Sequence, residues 1–88
     1  DDLCDLDVLI VEDDEPLTEV LKCCLESDGF QVRVALDAED GFAKLKSQRP
    51  DVMILDVMLG DVGNNAHDLV RKLREDATLS DIPLIIYS

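Results

Sequence analysis

Three acidic side chains stand directly after apolar runs of this chain, where they could bind a cation together. Glu12 and Asp13 follow residues 8–11, and Asp56 follows residues 52–55. Carboxylate oxygens are the ligands that Mg²⁺ prefers in proteins, and three like charges in one partly buried place repel unless a cation neutralises them. The sequence therefore predicts a divalent-metal pocket in which an oxygen of Asp56 can also act as a nucleophile.

The elements that must position these acids alternate between short apolar runs and amphipathic segments. Residues 8–11 and 52–55 are aliphatic throughout, which is typical of strands buried on both faces. Further strands are predicted at residues 31–35 and 83–87. Strands joined by helical crossovers pair in parallel, so we expect an open α/β sheet with helices on both faces. Ligands in such sheets bind beyond the carboxyl ends of the strands, where all three acids stand.

The predicted helices carry recognisable start and stop signals. Acids and a proline at residues 12–16 begin the first helix, and Gly29 ends it. Asp37 stands three residues before Asp40, as in a capping box, and the second helix ends before Pro50. The apolar stripe of the first helix is predicted to consist of Leu17, Val20, Leu21, Cys24 and Leu25. The apolar positions of the later helices are Ala38, Phe42, Leu45, Leu69, Val70 and Leu73.

The acids also have a simpler interpretation. Acidic residues dominate the first turns of helices, so Asp14 and Glu15 are assigned to capping and to the helix dipole. A single Asp at a strand end, such as Asp56, is often only a turn former. The combination is more specific, because both acidic positions follow apolar strands at the edge where this fold places ligands.

The net charge of −13 arises from 8 basic and 21 acidic residues. Such a chain is repelled by nucleic acid and by anionic lipid, so we expect no direct contact with either. A metal ion or a basic protein surface is the expected partner. No apolar run approaches the ~20 residues of a membrane span, and the acidic N-terminus is unlike a secretion signal, which indicates the cytoplasm.

Cysteine and histidine offer no separate chemistry. Cys4, Cys23 and Cys24 are odd in number and two are adjacent, so neither a disulfide framework nor a zinc motif can be drawn. Cys24 is predicted to fill the core and Cys23 to be a surface thiol. His67, at the start of the third helix, is predicted to be a surface histidine rather than a phosphoryl relay.

The segments VLIVEDDEP, PDVMILDVML and PLIIYS resemble, over the whole chain, the blocks that open a receiver domain of two-component response regulators. The resemblance implies a flavodoxin-like sheet with strand order 2-1-3-4, in which the fifth strand and the last helices are missing. Residues 1–88 are accordingly expected to be a single, C-terminally incomplete receiver domain. The natural protein is expected to continue beyond Ser88, with a possible output domain there.

The resemblance also implies a role for each site residue. Asp56 accepts a phosphoryl group from a sensor histidine kinase or a phosphotransfer protein in a Mg²⁺-dependent reaction. Asp13 binds Mg²⁺ directly, Glu12 binds it through water, and Met58 contributes its backbone carbonyl. Ser88 is the hydroxyl residue that senses the phosphoryl group. Such a domain catalyses only its own phosphorylation and dephosphorylation and is not an enzyme with a separate substrate.

The chain departs from the family pattern near the acceptor. Gly60 replaces the usual proline, and the customary Asp-Gly pair of the loop at residues 57–65 is absent. The stretch from Asp56 to the Leu73-Arg74 pair is about two residues longer than the family pattern. No lysine follows a strand end: the candidates are Lys22, Lys44, Lys46 and Lys72. These departures leave open a pseudo-receiver that acts only as a docking module.

Two further expectations concern other classes and assembly. A phosphatase-type α/β hydrolase is disfavoured because Asp56 is followed by Val57-Met58 and not by a second acid two residues on. No glycine-rich phosphate loop follows the first strand either. Residues 84–87 would form an exposed apolar edge, so these 88 residues alone are expected to dimerise, swap or aggregate.

Overall fold

Strands and helices alternate along residues 6–56, 60–61 and 64–87, which this computed structural model describes. The strands are β1 (Asp7–Val11), β2 (Gln31–Ala35), β3 (Val52–Asp56), β4 (Gly60–Asp61), β5 (Asn64–Asn65) and β6 (Leu84–Tyr87). The helices are α1 (Glu15–Ser27), α2 (Ala38–Ser47) and α3 (Ala66–Glu75). In this described part of the chain, no helix is long and apolar enough to cross a membrane.

Four of the strands form one parallel sheet in the order β2-β1-β3-β6. The α/β class and the flavodoxin-like order are thereby confirmed. Residues 8–11 in the central strand β1 are all at most 2% exposed. This burial on both faces explains why the strand is aliphatic throughout and lacks polar alternation.

The main core lies between one face of the sheet and helices α2 and α3. Its principal members are Leu9, Val11, Leu45, Met53, Leu55, Leu69 and Leu73. Gly41 sets how closely α2 approaches this face. A Cβ atom there would lie only 3.0 Å from Cγ2 of Val11, the last residue of β1. The first turn of α2 is therefore held against the carboxyl end of β1.

The helix signals act as predicted. The Asp14 carboxylate accepts a hydrogen bond from the Leu17 amide, and the Asp37 carboxylate accepts one from the Asp40 amide at 2.7 Å. Gly29 follows α1 with a φ of 98°, a conformation that side-chain-bearing residues rarely adopt. Each cap satisfies an amide or carbonyl group that the helix itself leaves without a partner.

A buried ion pair fixes the opposite, amino edge of the sheet. The Asp7 carboxylate accepts hydrogen bonds from Nε and Nη2 of Arg33 at 3.2 and 2.9 Å, and a third from Gln48. The same guanidinium donates to the carbonyl oxygens of Lys44 and Gln48 at the end of α2. Arg33 thus ties the end of α2 to β1 and satisfies carbonyl groups that the helix leaves open.

The prediction for the apolar stripe of α1 was wrong in two positions. Cys24 was expected in the core but is exposed, and Val20 is 58% exposed. The line facing the sheet includes Thr18, which is buried because its hydroxyl donates to the Glu15 carbonyl oxygen. The helix is therefore rotated so that Val20 and Cys24 lie on its flank. Cys23 is exposed, as predicted.

The prediction of a loop at residues 57–65 did not include the short strands found there. Gly60 pairs with Asn65 and Asp61 with Asn64 in a short antiparallel ladder, β4–β5. Two paired residues per strand are too few to leave a detectable alternation in the sequence. Residues 57–59 and 62–63 lie outside the described residues.

The connection from α3 to β6 is held by polar contacts, whereas β6 itself is open. The Thr78 hydroxyl and amide donate to Asp76 and hold the pKa of that carboxyl below its ordinary value. Arg49 forms an ion pair with Asp81. Ile85 and Ile86 remain 54% and 52% exposed. The predicted apolar edge is therefore present.

Candidate metal centre

The pairing of β1 with β3 brings the predicted acids together. Val11 and Leu55 are register partners in these strands, so Glu12 and Asp56 follow side by side at the carboxyl edge. Asp13 comes next in the chain. One carboxylate oxygen from each of the three acids lies within 4.8 Å of the others. The structure thus gathers the three acidic ligands that the sequence predicted.

The surrounding backbone fixes the orientation of Glu12. Its amide donates to the Ala35 carbonyl oxygen at 3.0 Å, which ties it to the end of β2. Its Oε1 accepts from the Asp14 amide at 3.0 Å, just before α1 begins. Glu12 is only 2% exposed. The Asp14 amide, which directly precedes α1, therefore fixes the orientation of the Glu12 carboxylate at the edge of the sheet.

The other two acids differ in their access to solvent. Asp56 is 8% exposed, and its backbone lies beside Tyr87 in the pairing of β3 with β6. Asp13 is exposed. The cluster is consequently buried at Glu12 and Asp56 and open to solvent at Asp13, from where an ion or a reactant can approach.

Electrostatics favours a cation here. Two ionised carboxylates at this separation repel by on the order of 3 kcal/mol at an effective dielectric constant of about 20. Glu12 and Asp56 are both largely removed from water, so solvent screens their repulsion poorly. A divalent ion converts this repulsion into attraction.

The donor set fits Mg²⁺. The ion takes oxygen ligands at about 2.0–2.1 Å in octahedral geometry, so opposite ligands lie about 4.2 Å apart. The observed spread of at most 4.8 Å requires only small side-chain rotations, or a bridging water for one acid. All three ligands are carboxylates, the class that suits Mg²⁺, Ca²⁺ and Mn²⁺ rather than softer metals.

Two predicted site residues cannot be placed in the same way. Met58 and Ser88 lie outside the described residues, so their roles stay predictions. His67 lies on the surface of α3, as expected. Lys22 lies in α1, and the other three candidate lysines also lie on helices and do not follow a strand end.

Sequence reasoning missed the part played by Gly41. Its close approach to Val11 seats α2 directly beside the residue that precedes Glu12. A glycine within a helix costs about 1 kcal/mol relative to alanine, so its presence in a predicted helix is a signal of close packing. That signal does not reveal which strand the helix approaches.

Comparison with known proteins agrees with this fold. The sequence-family model of the response regulator receiver domain matches residues 8–88. This match extends over nearly the whole sequence, and the protein belongs to the response regulator receiver domain family.

Individual relatives support the assignment. The chain is 38% identical over 81 residues to the transcriptional regulatory protein CseB of Streptomyces coelicolor, a match that covers 92% of this chain and 32% of CseB. The chain thus spans about a third of the length of that relative.

Solved structures show the same architecture. The signal receiver domain of a signal transduction histidine kinase from Syntrophus aciditrophicus is 31% identical with a TM-score of 0.86, over 94% of this chain and 61% of that one. The N-terminal domain of a response regulator receiver protein from Methanoculleus marisnigri has a TM-score of 0.88, over 94% of this chain and 66% of that one. At 23% identity, this second likeness shows the fold alone.

Replacing Asp13 by Asn tests whether the three acids lie close enough to repel one another. We expect Asp13→Asn to raise the melting temperature in metal-free buffer by a few degrees, because one repelling charge is removed. The same variant should lose most of the stabilisation that Mg²⁺ gives the wild type. Calorimetric melts with and without Mg²⁺ measure both effects.

Asp14→Asn is the matched control, since Asn caps a helix as well as Asp does and this residue is not one of the three ligands. It should keep the response to Mg²⁺. An Asp13→Asn variant that keeps the full response to Mg²⁺, as Asp14→Asn should, would show that Asp13 is not a ligand of the ion.

Proposed function

We propose that this receiver domain is phosphorylated on Asp56 by a sensor histidine kinase or a phosphotransfer protein, in a Mg²⁺-dependent reaction. The observation that supports the proposal is the convergence of Glu12, Asp13 and Asp56 at one edge of the sheet. Three carboxylates held together are costly for stability, and a cation-dependent reaction with an anionic phosphoryl group gives them a role.

The three acids have different roles in the proposed phosphoryl transfer. Glu12, Asp13 and Asp56 would hold Mg²⁺, with the Asp14 amide keeping the Glu12 carboxylate in place. When bound, the ion offsets negative charge on the incoming phosphoryl group. An Asp56 oxygen attacks phosphorus, the bond to the leaving group breaks, and the leaving group keeps the electron pair. The domain acts only on itself and has no separate substrate.

The product then changes an interaction surface. An acyl phosphate on Asp56 adds charge and acceptor oxygens, which can draw the Ser88 hydroxyl and bias a two-state surface. Met58 is expected to lend its carbonyl oxygen to the ion. We place this reaction in the cytoplasm. We also propose that the protein has an output domain, because the relative CseB is named a transcriptional regulatory protein and this chain spans 32% of it.

A pseudo-receiver is the second candidate. Each lysine of the described residues lies on a helix, so the lysine that the family uses to bind the phosphoryl group is not among them. The fold would then act only as a docking module. Direct phosphorylation separates the two candidates.

Incubation with Mg²⁺ and acetyl phosphate, followed by intact-mass measurement, is the direct test. The wild type should gain one phosphoryl group and release acetate, whereas Asp56→Asn should gain none. Chelation of Mg²⁺ should abolish the gain. Asp28→Asn, at the far end of α1, is the control and should react like the wild type. A wild type that stays unmodified would favour the pseudo-receiver.

We also propose that the 88-residue chain forms a dimer through β6. Within the described residues, no strand pairs with the outer edge of β6. The strand is uncharged, and Ile85 and Ile86 expose apolar surface on opposite faces. The same strand of a second copy is self-complementary to it in an antiparallel pair. The net charge of −13 on each copy opposes this association.

Ile85→Lys tests the dimer, because a charge on an edge strand blocks further pairing. Light scattering should show a wild-type dimer that becomes more populated as salt screens the repulsion, and a monomeric variant. Val20→Lys changes an equally exposed apolar residue on α1 and should still dimerise. A wild type that stays monomeric at all concentrations would contradict the proposal.

A further inference from the structure

Charge is segregated along the strand direction of this molecule. The first turns of the helices carry Glu15 on α1, Glu39 and Asp40 on α2, and Asp68 on α3. The last turns carry Lys44 and Lys46 on α2, and Lys72 and Arg74 on α3. Because each helix begins at the carboxyl edge of the sheet, that edge is acidic beyond the three ligands. The opposite edge carries most of the cations.

Two of the non-ligating acids lie at the same edge of the sheet as the site. Glu15 begins α1 three residues after Glu12. Glu39 lies in the first turn of α2, where Gly41 packs against Val11, the neighbour of Glu12. Both side chains are exposed, so they project their charge into the solvent through which a reactant approaches. Neither belongs to the acidic cluster.

We propose that these non-ligating acids, with Glu15 and Glu39 as the principal pair, act as an electrostatic filter on the phosphodonor. They disfavour free anionic phosphodonors and favour a phosphoryl group presented on a basic protein surface. The inference rests on phosphorylation of Asp56 as proposed above, and adds to it a charge requirement on the donor. The filter acts on approach and takes no part in the transfer step.

The size of the effect follows from distance and screening. For charges about 10 Å apart, one acid slows a dianionic donor about threefold at an ionic strength of about 0.01 M, where the screening length is about 30 Å. At about 0.5 M the same interaction is almost fully screened. A filter of this kind therefore gives a phosphorylation rate that rises with salt. A rate that is limited by Mg²⁺ binding would instead fall, because salt weakens the attraction between Mg²⁺ and the acids.

The experiment measures the second-order rate constant for phosphorylation of Asp56 by acetyl phosphate, a dianion, from about 0.01 to 0.5 M KCl. Mg²⁺ is kept at a saturating concentration, determined separately for each protein. The test variant is the double substitution Glu15→Gln and Glu39→Gln. The control variant is Glu26→Gln and Asp28→Asn, which removes the same charge at the other end of α1.

The filter predicts three results. The wild-type rate rises with salt, the test variant is several-fold faster than the wild type at low salt, and the two converge at high salt. The control variant follows the wild type throughout. A salt-independent wild type, or equal acceleration by the control, would overturn the filter while leaving phosphorylation of Asp56 intact. Absence of modification at every salt concentration would overturn both proposals.

Discussion

The parallel pairing of β1 with β3 is the constraint on which the rest of the structure depends. Its register places Val11 opposite Leu55, and this alone determines that Glu12 and Asp56 end side by side. A shift by one residue would exchange the side chains that pack on the two faces of the sheet, so packing on both faces fixes the position of the acids. The position of the site is thus specified largely by apolar packing away from the acids themselves.

The energetic consequence is a site that opposes the fold holding it. Glu12 and Asp56 are nearly buried, and their charges repel, while the aliphatic sheet and the core beneath α2 and α3 compensate. At the other edge, Arg33 and Asp7 form a pair of opposite charges in a comparably buried place. One edge of the sheet is stabilised by its paired charges, and the other gathers three acids that could bind a cation.

Much of this could be predicted from the sequence. Aliphatic runs bounded by helix signals located the four strands of the main sheet, and crossover rules made them parallel. The convergence of the acids followed because parallel strands end at one edge. The strand runs and the helix signals are local: each depends on residue types and spacings within one segment, which the sequence displays directly.

Other features depend on contacts that periodicity does not record. Val20 and Cys24 continue an apolar stripe, yet both are exposed, and Thr18 is the residue of α1 that is buried. The β4–β5 ladder is too short to leave a pattern. The closeness of α2 to β1 depends on Gly41 meeting one particular side chain across the core.

The central claim is that Glu12, Asp13 and Asp56 grip one divalent ion. The most direct measurement is the paramagnetic broadening of backbone amide NMR signals during titration with Mn²⁺, a close substitute for Mg²⁺ in oxygen sites. The account predicts that signals around these three residues broaden first and recover when excess Mg²⁺ is added, while that of Asp7 at the opposite edge stays sharp. Broadening centred on any other acidic segment, or spread evenly over the chain, would contradict it.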